Sequence, residues 1–154
     1  IETGVERQTL LEVKRFDEPV ASCLDRFCAL RPFGYTPVRQ SINSAAAQLV
    51  SRRESRKIIF LITDGLCSDA ELLTDIEQDL KRAGIEIVCL GIGDDIPKIF
   101  SIQSDIKHSR QMKEAAYKLL EESLEEDIDF SRMVVVKIFA IPSLSGCVNS
   151  ASEG

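Results

Sequence analysis

The run Lys57-Ile58-Ile59-Phe60-Leu61-Ile62-Thr63-Asp64-Gly65 limits what this chain can fold into more than any other stretch. Its five consecutive apolar residues, three of them β-branched isoleucines, leave no face for water. The run therefore reads as a strand buried on both faces, as in a parallel sheet. It closes on Thr63-Asp64-Gly65, and Ser68-Asp69-Ala70-Glu71 opens a helix behind it, with Ser68 and Glu71 at capping-box spacing. Polar residues at the carboxyl end of a central strand in an α/β sheet stand where ligands bind. Asp64 is thus the first candidate functional residue.

The flanking segments fit the same class. Residues 9–16 alternate partly, with Leu11, Val13 and Phe16 apolar, and predict a half-exposed edge strand. Pro19 opens a helix in which Val20, Cys23, Leu24, Phe27 and Cys28 form one apolar face. Gly34-Tyr35-Thr36-Pro37 is a tight loop, with Thr36 at an N-cap and Pro37 at the first helical position. Val38, Ile42, Ala45, Ala46, Leu49 and Val50 then form a helical stripe. After the central strand, Leu72, Leu73, Ile76, Leu80 and Ala83 give the next helix its buried side, Glu77 and Lys81 pair on its wet side, and Gly84 stops it. Ile85 to Gly93 is a second buried strand, followed by an irregular piece at 96–103. A helix over 109–126 carries Met112, Ala115, Ala116, Leu119, Leu120 and Leu124, and its acidic end is a solvated face. Met133 to Ile141 is a further strand. Strands alternating with helices through short loops predict an α/β, Rossmann-like, mostly parallel sheet with helices on both faces. One domain is expected over 1–141, with 142–154 as a flexible tail.

Composition narrows the function. The 154 residues suffice for one core, and 44% hydrophobic with 29% charged residues is ordinary for a globular chain. A net charge of -6 argues against nucleic acid or an anionic membrane as the main partner. No apolar run is long enough for a membrane span. Five cysteines without a C-x-x-C pair, beside a single histidine, argue against a structural zinc site and read as buried reduced thiols of a cytoplasmic protein. The start at Ile1 shows neither an initiator Met nor a signal-peptide shape, so the chain reads as trimmed from something longer.

Three motifs, Gly34-Tyr35-Thr36-Pro37, Leu61-Ile62-Thr63-Asp64-Gly65 and Gly84-Ile85-Glu86-Ile87 with Gly91-Ile92-Gly93, resemble the von Willebrand factor A domain in order and spacing. Val13 to Glu18 and the region of Ile99-Phe100 resemble its bacterial CobT/NorD-like branch. The resemblance implies a metal-ion-dependent adhesion site at the carboxyl edge of the sheet. There an Asp-x-Ser-x-Ser set, a threonine and an aspartate hold Mg²⁺, a hard cation that takes oxygen ligands and keeps some water. Thr36 matches the threonine and Asp64 the aspartate. The residues alone leave other readings open, a plain helix cap for Thr36 and a turn-former for Asp64. No Asp-x-Ser-x-Ser precedes residue 9, so the family's usual first strand and helix are expected to be missing. The strand at 133–141 is a candidate to complete the sheet, in cis or swapped between copies in a homo-oligomer. Ser143 and Ser145 after it have the Ser-x-Ser spacing, with Ile141 where the aspartate belongs.

Three functions follow. The first is a protein–protein interaction module docking at or near an incomplete, weakly Mg²⁺-binding site, for which the resemblance implies an AAA+ ATPase partner. The second is a purely structural or oligomerising domain with a vestigial site. The third is a phosphatase-like hydrolase, which would need a nucleophilic aspartate two residues before Asp64, where Ile62 stands. No phosphate-binding glycine loop is present, and His108 has no nucleophile partner. A non-enzyme is expected.

Overall fold

The computed structural model describes residues 12–29, 38–64, 70–93, 96–123 and 132–140. Two compact units divide the chain, Ile1–Thr36 with Pro142–Gly154, and Pro37–Ile141.

The second unit is built on a four-stranded sheet of β1 (Arg56–Thr63), β2 (Ile85–Ile92), β3 (Gln103–Ile106) and β4 (Met133–Ala140). Their order is β3-β2-β1-β4, and every pairing is parallel. β1 lies between β2 and β4, which is why its apolar run has no polar alternation: Ile58 to Ile62 are all buried. Alternation sends Ile58, Phe60 and Ile62 to one face, where they cluster with Val88, Leu90, Ile106 and Leu119. Leu119 belongs to α4 (Met112–Ser123), which covers β2 and β3 there. The opposite face carries Ile59, Leu61, Ile87 and Cys89. It receives α2 (Val38–Val50) through Val38, Ile42, Ala45 and Leu49, and α3 (Ala70–Arg82) through Leu73, Ile76 and Leu80. The α/β class and the helices on both faces are as the periodicities predict.

β4 pairs with β1, as a strand completing the sheet would, and among the described residues it stands at the edge. It runs beside β1 from Arg56↔Met133 to Thr63↔Ala140, and the pairing is made within one chain. The stretch at 96–103 holds more order than its sequence suggests. It ends in β3, whose residues are polar except Ile106, so no periodicity announces it. The Gln103 carboxamide stitches the preceding loop together. Its Oε1 accepts from the amides of Ile99 (3.1 Å) and Phe100 (3.4 Å), while its Nε2 donates to the Pro97 carbonyl (3.1 Å) and Asp105 Oδ1 (3.2 Å). Gln103→Leu removes all four bonds and orphans two amides at the half-buried Ile99 and buried Phe100. It should destabilise the unit by about 1–3 kcal/mol. Hydrogen exchange at Ile99 and Phe100 is expected to accelerate roughly tenfold or more, and unchanged protection there would rule out this role.

Some expected details differ. The Glu77 carboxylate, read as the partner of Lys81, accepts the Ser101 amide at 2.9 Å and so ties α3 to the same loop. Val50, at the end of the α2 stripe, is exposed, although Leu49 beside it is fully buried. Ala83 is exposed too, where α3 closes on bonds from the Ala83 and Gly84 amides to the Asp79 and Lys81 carbonyls. The predicted Ser68–Glu71 capping box and Leu124 lie outside the described residues or side chains.

In the first unit, residues 12–15 are not a strand. The chain instead turns at Phe16-Asp17. The Glu18 amide donates to the Arg15 carbonyl (3.3 Å), and the Glu18 carboxylate accepts the Arg15 amide (3.2 Å) and pairs with Arg26. These local bonds satisfy the backbone without a ladder. They hold the Glu18 carboxyl below its ordinary range, the Arg15 amide first and the Arg26 guanidinium after it. A 3₁₀ turn at Val20–Cys23 leads into α1 (Leu24–Cys28). Of the apolar face predicted there, Cys23 is buried, whereas Val20 is 55% and Leu24 52% exposed, and Cys28 is exposed as well.

Candidate functional site

A parallel sheet brings the carboxyl ends of its strands to one edge, and four chain segments leave β1, β2, β3 and β4 there. Thr63 pairs with Gly91 on one side and Ala140 on the other, and Ile92 pairs with Ile106. Asp64, Gly93 and Lys107 therefore leave the sheet at nearly the same level. Thr63 is buried and turns toward the face of α2 and α3. Asp64, one residue later, is exposed. This is the local reason for a buried apolar strand ending in a carboxylate: the last β residue anchors, and the next one faces solvent.

Two glycines shape the floor of the edge. Gly93 has φ +135°, a conformation that side chains with a Cβ rarely adopt, and its amide donates to the Ile106 carbonyl at 2.8 Å. That bond carries the β2–β3 pairing one residue past the strand. A Cβ on Gly93 would lie 3.9 Å from the Asp64 carbonyl oxygen, so the segments leaving β1 and β2 run close together. Gly91 is glycine for room. A Cβ there would collide with Asp105 Oδ1 and lie 2.9 Å from Ile96 Cδ1. The Asp105 carboxylate thus sits over β2, beside Cys89. Burial, and after it the Asp105 charge, pushes the Cys89 thiol up to about 12. A thiol so held stays protonated at neutral pH and is neither a nucleophile nor a ready metal ligand. Cys23, Cys28 and Cys89 form no disulfide, and Cys67 and Cys147 lie outside the described residues.

The sequence-predicted ligands divide accordingly. Asp64 stands at the expected edge with its side chain exposed. Thr36, Ser143 and Ser145 lie outside the described residues. Among the described residues no group of three histidine, cysteine, aspartate or glutamate side chains could hold a metal ion. The fit to Mg²⁺ is therefore one of donor chemistry, a hard carboxylate oxygen, but not of donor number. His108 is exposed; its amide donates to Gln111 Oε1 and its carbonyl accepts the Gln111 amide, so its backbone serves the turn into α4. The sequence reading missed Gln103, Asp105 and Glu77. The Gly-Ile-Gly spacing was the one available signal that something crowds β2.

The family model of the von Willebrand factor type A domain matches residues 19–126. The chain belongs to this family. A comparison with curated proteins finds no match. Von Willebrand factor A domains commonly mediate protein–protein interactions, and they often bind Mg²⁺ at a metal-ion-dependent adhesion site. The exposed Asp64 of this von Willebrand factor A domain lies on the carboxyl edge of the sheet, the edge where α/β folds place ligands. Among the described residues no helix is long and apolar enough to cross a membrane.

Proposed function

We propose that this von Willebrand factor A domain is a non-catalytic docking module that binds a protein partner at the carboxyl edge around Asp64. The observation that carries the reading is the exposure of Asp64 directly after a strand buried along its apolar run. A weakly held Mg²⁺ there, with Thr36, Ser143 and Ser145 as further oxygen ligands, would accept a carboxylate from the partner. By the resemblance to the CobT/NorD-like branch, the partner is an AAA+ ATPase of a bacterial cytoplasm. Catalysis is disfavoured by Ile62, which is buried where a phosphatase would need its nucleophile. The single described ligand keeps one other reading in play, a structural domain with a vestigial site.

Titration with Mg²⁺ followed by amide NMR separates the two. Shifts centred on Asp64 and Gly93, saturating on the order of millimolar, are expected. Asp64→Ala should abolish them while leaving the unfolding free energy within about 0.5 kcal/mol of the parent, since the residue is exposed. Absence of any localised shift in the parent chain would favour the vestigial site.

A further inference from the structure

The turn Ser51-Arg52-Arg53-Glu54-Ser55 has no part in the docking edge. It joins α2 to β1 at the amino end of the sheet, the end opposite Asp64. Residues 52–54 have no regular structure, and Ser55 lies in a bend directly before β1. Arg53 and Ser55 are exposed. Arginines stand two and three residues before Ser55, and no other serine or threonine of the chain is so preceded. Ser51 lacks them, and its hydroxyl is tied down, donating to the Gln48 carbonyl at 2.9 Å. The Ser55 hydroxyl makes no such bond among the described residues.

We infer that Ser55 is a phosphorylation site, modified by a nucleoside-triphosphate-dependent kinase with an acidic substrate groove. Carboxylates of such a groove hold guanidinium groups by bidentate, charge-assisted bonds. Arg52 and Arg53 present two of these groups on the side of Ser55 where the backbone is outside the sheet. Arg52 also pairs with Glu54 at 2.6 Å, but both side chains are partly exposed, and such a pair yields at little cost. In the transfer, the Ser55 oxygen attacks the terminal phosphorus of the triphosphate. The bond from that phosphorus to the nucleoside diphosphate breaks, and the hydroxyl proton passes to the base of the kinase. The product carries close to two negative charges at neutral pH. The fold offers those charges a seat. Arg53 and Arg56 flank Ser55 along the chain, and the pairing of Arg56 with Met133 brings Arg132 level with it. Arg56 already holds Glu86 at 3.2 Å, and a guanidinium has donors to spare for a second anion. Glu54 opposes the new charge, but its own partner is Arg52. A phosphate on Ser55 therefore ties the start of β1 to the start of β4.

The probe is the catalytic subunit of cyclic-AMP-dependent protein kinase, which reads arginines at these two positions. With Mg²⁺ and ATP it is expected to add one phosphoryl group to the full chain, located at Ser55 by mass spectrometry, and none at Ser51. Ser55→Ala should abolish incorporation. Arg53→Ala should lower the kinase's kcat/KM for the chain about tenfold or more, the loss of one charged hydrogen-bonding group. A peptide of residues 48–59 serves as the unfolded reference. Modification of the peptide but not of the folded chain would mean that the fold withholds the serine, and would overturn the inference. Modification of neither would overturn it as well. Phosphorus NMR of the modified chain tests the seat. Nearby guanidiniums favour the doubly charged phosphate, so its second ionisation should fall below the ordinary value of about 6. Arg132→Gln should move it back. An ordinary value in the parent chain, or one that Arg132→Gln leaves unmoved, would overturn the seat.

Discussion

A chain ending at Arg132 is expected to lose its cooperative unfolding transition, whereas one ending at Ile141 keeps it. The reason lies in what β4 does for β1. β1 has a neighbour on each side, and β4 supplies the whole of one side, from Arg56↔Met133 to Thr63↔Ala140. Without it, Ile58 to Ile62 would border solvent, although all five are buried in the intact sheet. α2 would lose part of its seat, since it packs on β4 as well as on β1. β4 itself contributes the buried Val134 and the partly buried Met133, Val135, Val136 and Ile138. At about 1.5–3 kcal/mol for each fully buried aliphatic side chain and less for the others, its removal costs several kcal/mol. That approaches the roughly 5–15 kcal/mol by which a whole domain is stable. The row of β1 that β4 now pairs would be bared along five consecutive apolar residues, so association into aggregates should accompany the loss. Urea titration followed by far-ultraviolet circular dichroism provides the comparison. A chain of 132 residues that unfolds at the same midpoint as one of 141 would show that β4 is dispensable.

The same strand shows what a sequence can and cannot disclose. β1, β2 and β4 are legible because each is an apolar run too short for a helix and rich in isoleucine and valine. α2, α3 and α4 are legible because their buried residues recur at helical spacing. β3 is not, since Gln103, Ser104 and Asp105 are strand only because the end of β2 offers them a ladder. The opposite error occurs at residues 12–15, where alternation suggests a strand, yet Glu18 and Arg15 settle their hydrogen bonds locally in a turn. Periodicity records which faces are apolar. It does not record whether a partner stands opposite, which is also why Val20 and Leu24 look like core in the sequence and are exposed in the fold. Asp64 is legible for a different reason: its place depends on the strand before it and the glycine after it, both local. Whether Thr36, Ser143 and Ser145 join it depends on how separate segments converge, and spacing along the chain carries no such information. Gln103 and Glu77 are invisible for the same cause, because each acts by reaching a backbone amide of the loop between β2 and β3.

Leu61→Ala is expected to be the most damaging single truncation in the sheet, at about 2–5 kcal/mol. Leu61 has no exposed surface and stands in register with Cys89 on β2 and Ile138 on β4. Its side chain faces the layer of α2 and α3, whose contributions Ile42, Leu49 and Leu73 are themselves fully buried. A cavity opened there is walled by two paired strands and two helices, none of which can close it without giving up contacts of its own. The cost should therefore include the residual cavity as well as the lost transfer free energy. Ile138→Ala supplies the contrast. It removes a comparable side chain from the same cross-strand row, but from the edge strand, where the side chain is only partly buried and the space can be wetted or refilled. It should cost less than half as much. For a chain of this size the difference appears as a fall in Tm of roughly 5–15 °C for Leu61→Ala. A loss under about 1 kcal/mol for Leu61→Ala would mean that the sheet relaxes freely around its central strand, against the close packing expected of a protein core. Because Leu61 points into the layer beneath the edge and Asp64 points out of it, a mild truncation such as Ile59→Val should lower stability while leaving the Mg²⁺ response of Asp64 in place. Stability in this domain resides in β1 and its two neighbours, and the docking residue proposed above stands one position past the end of β1.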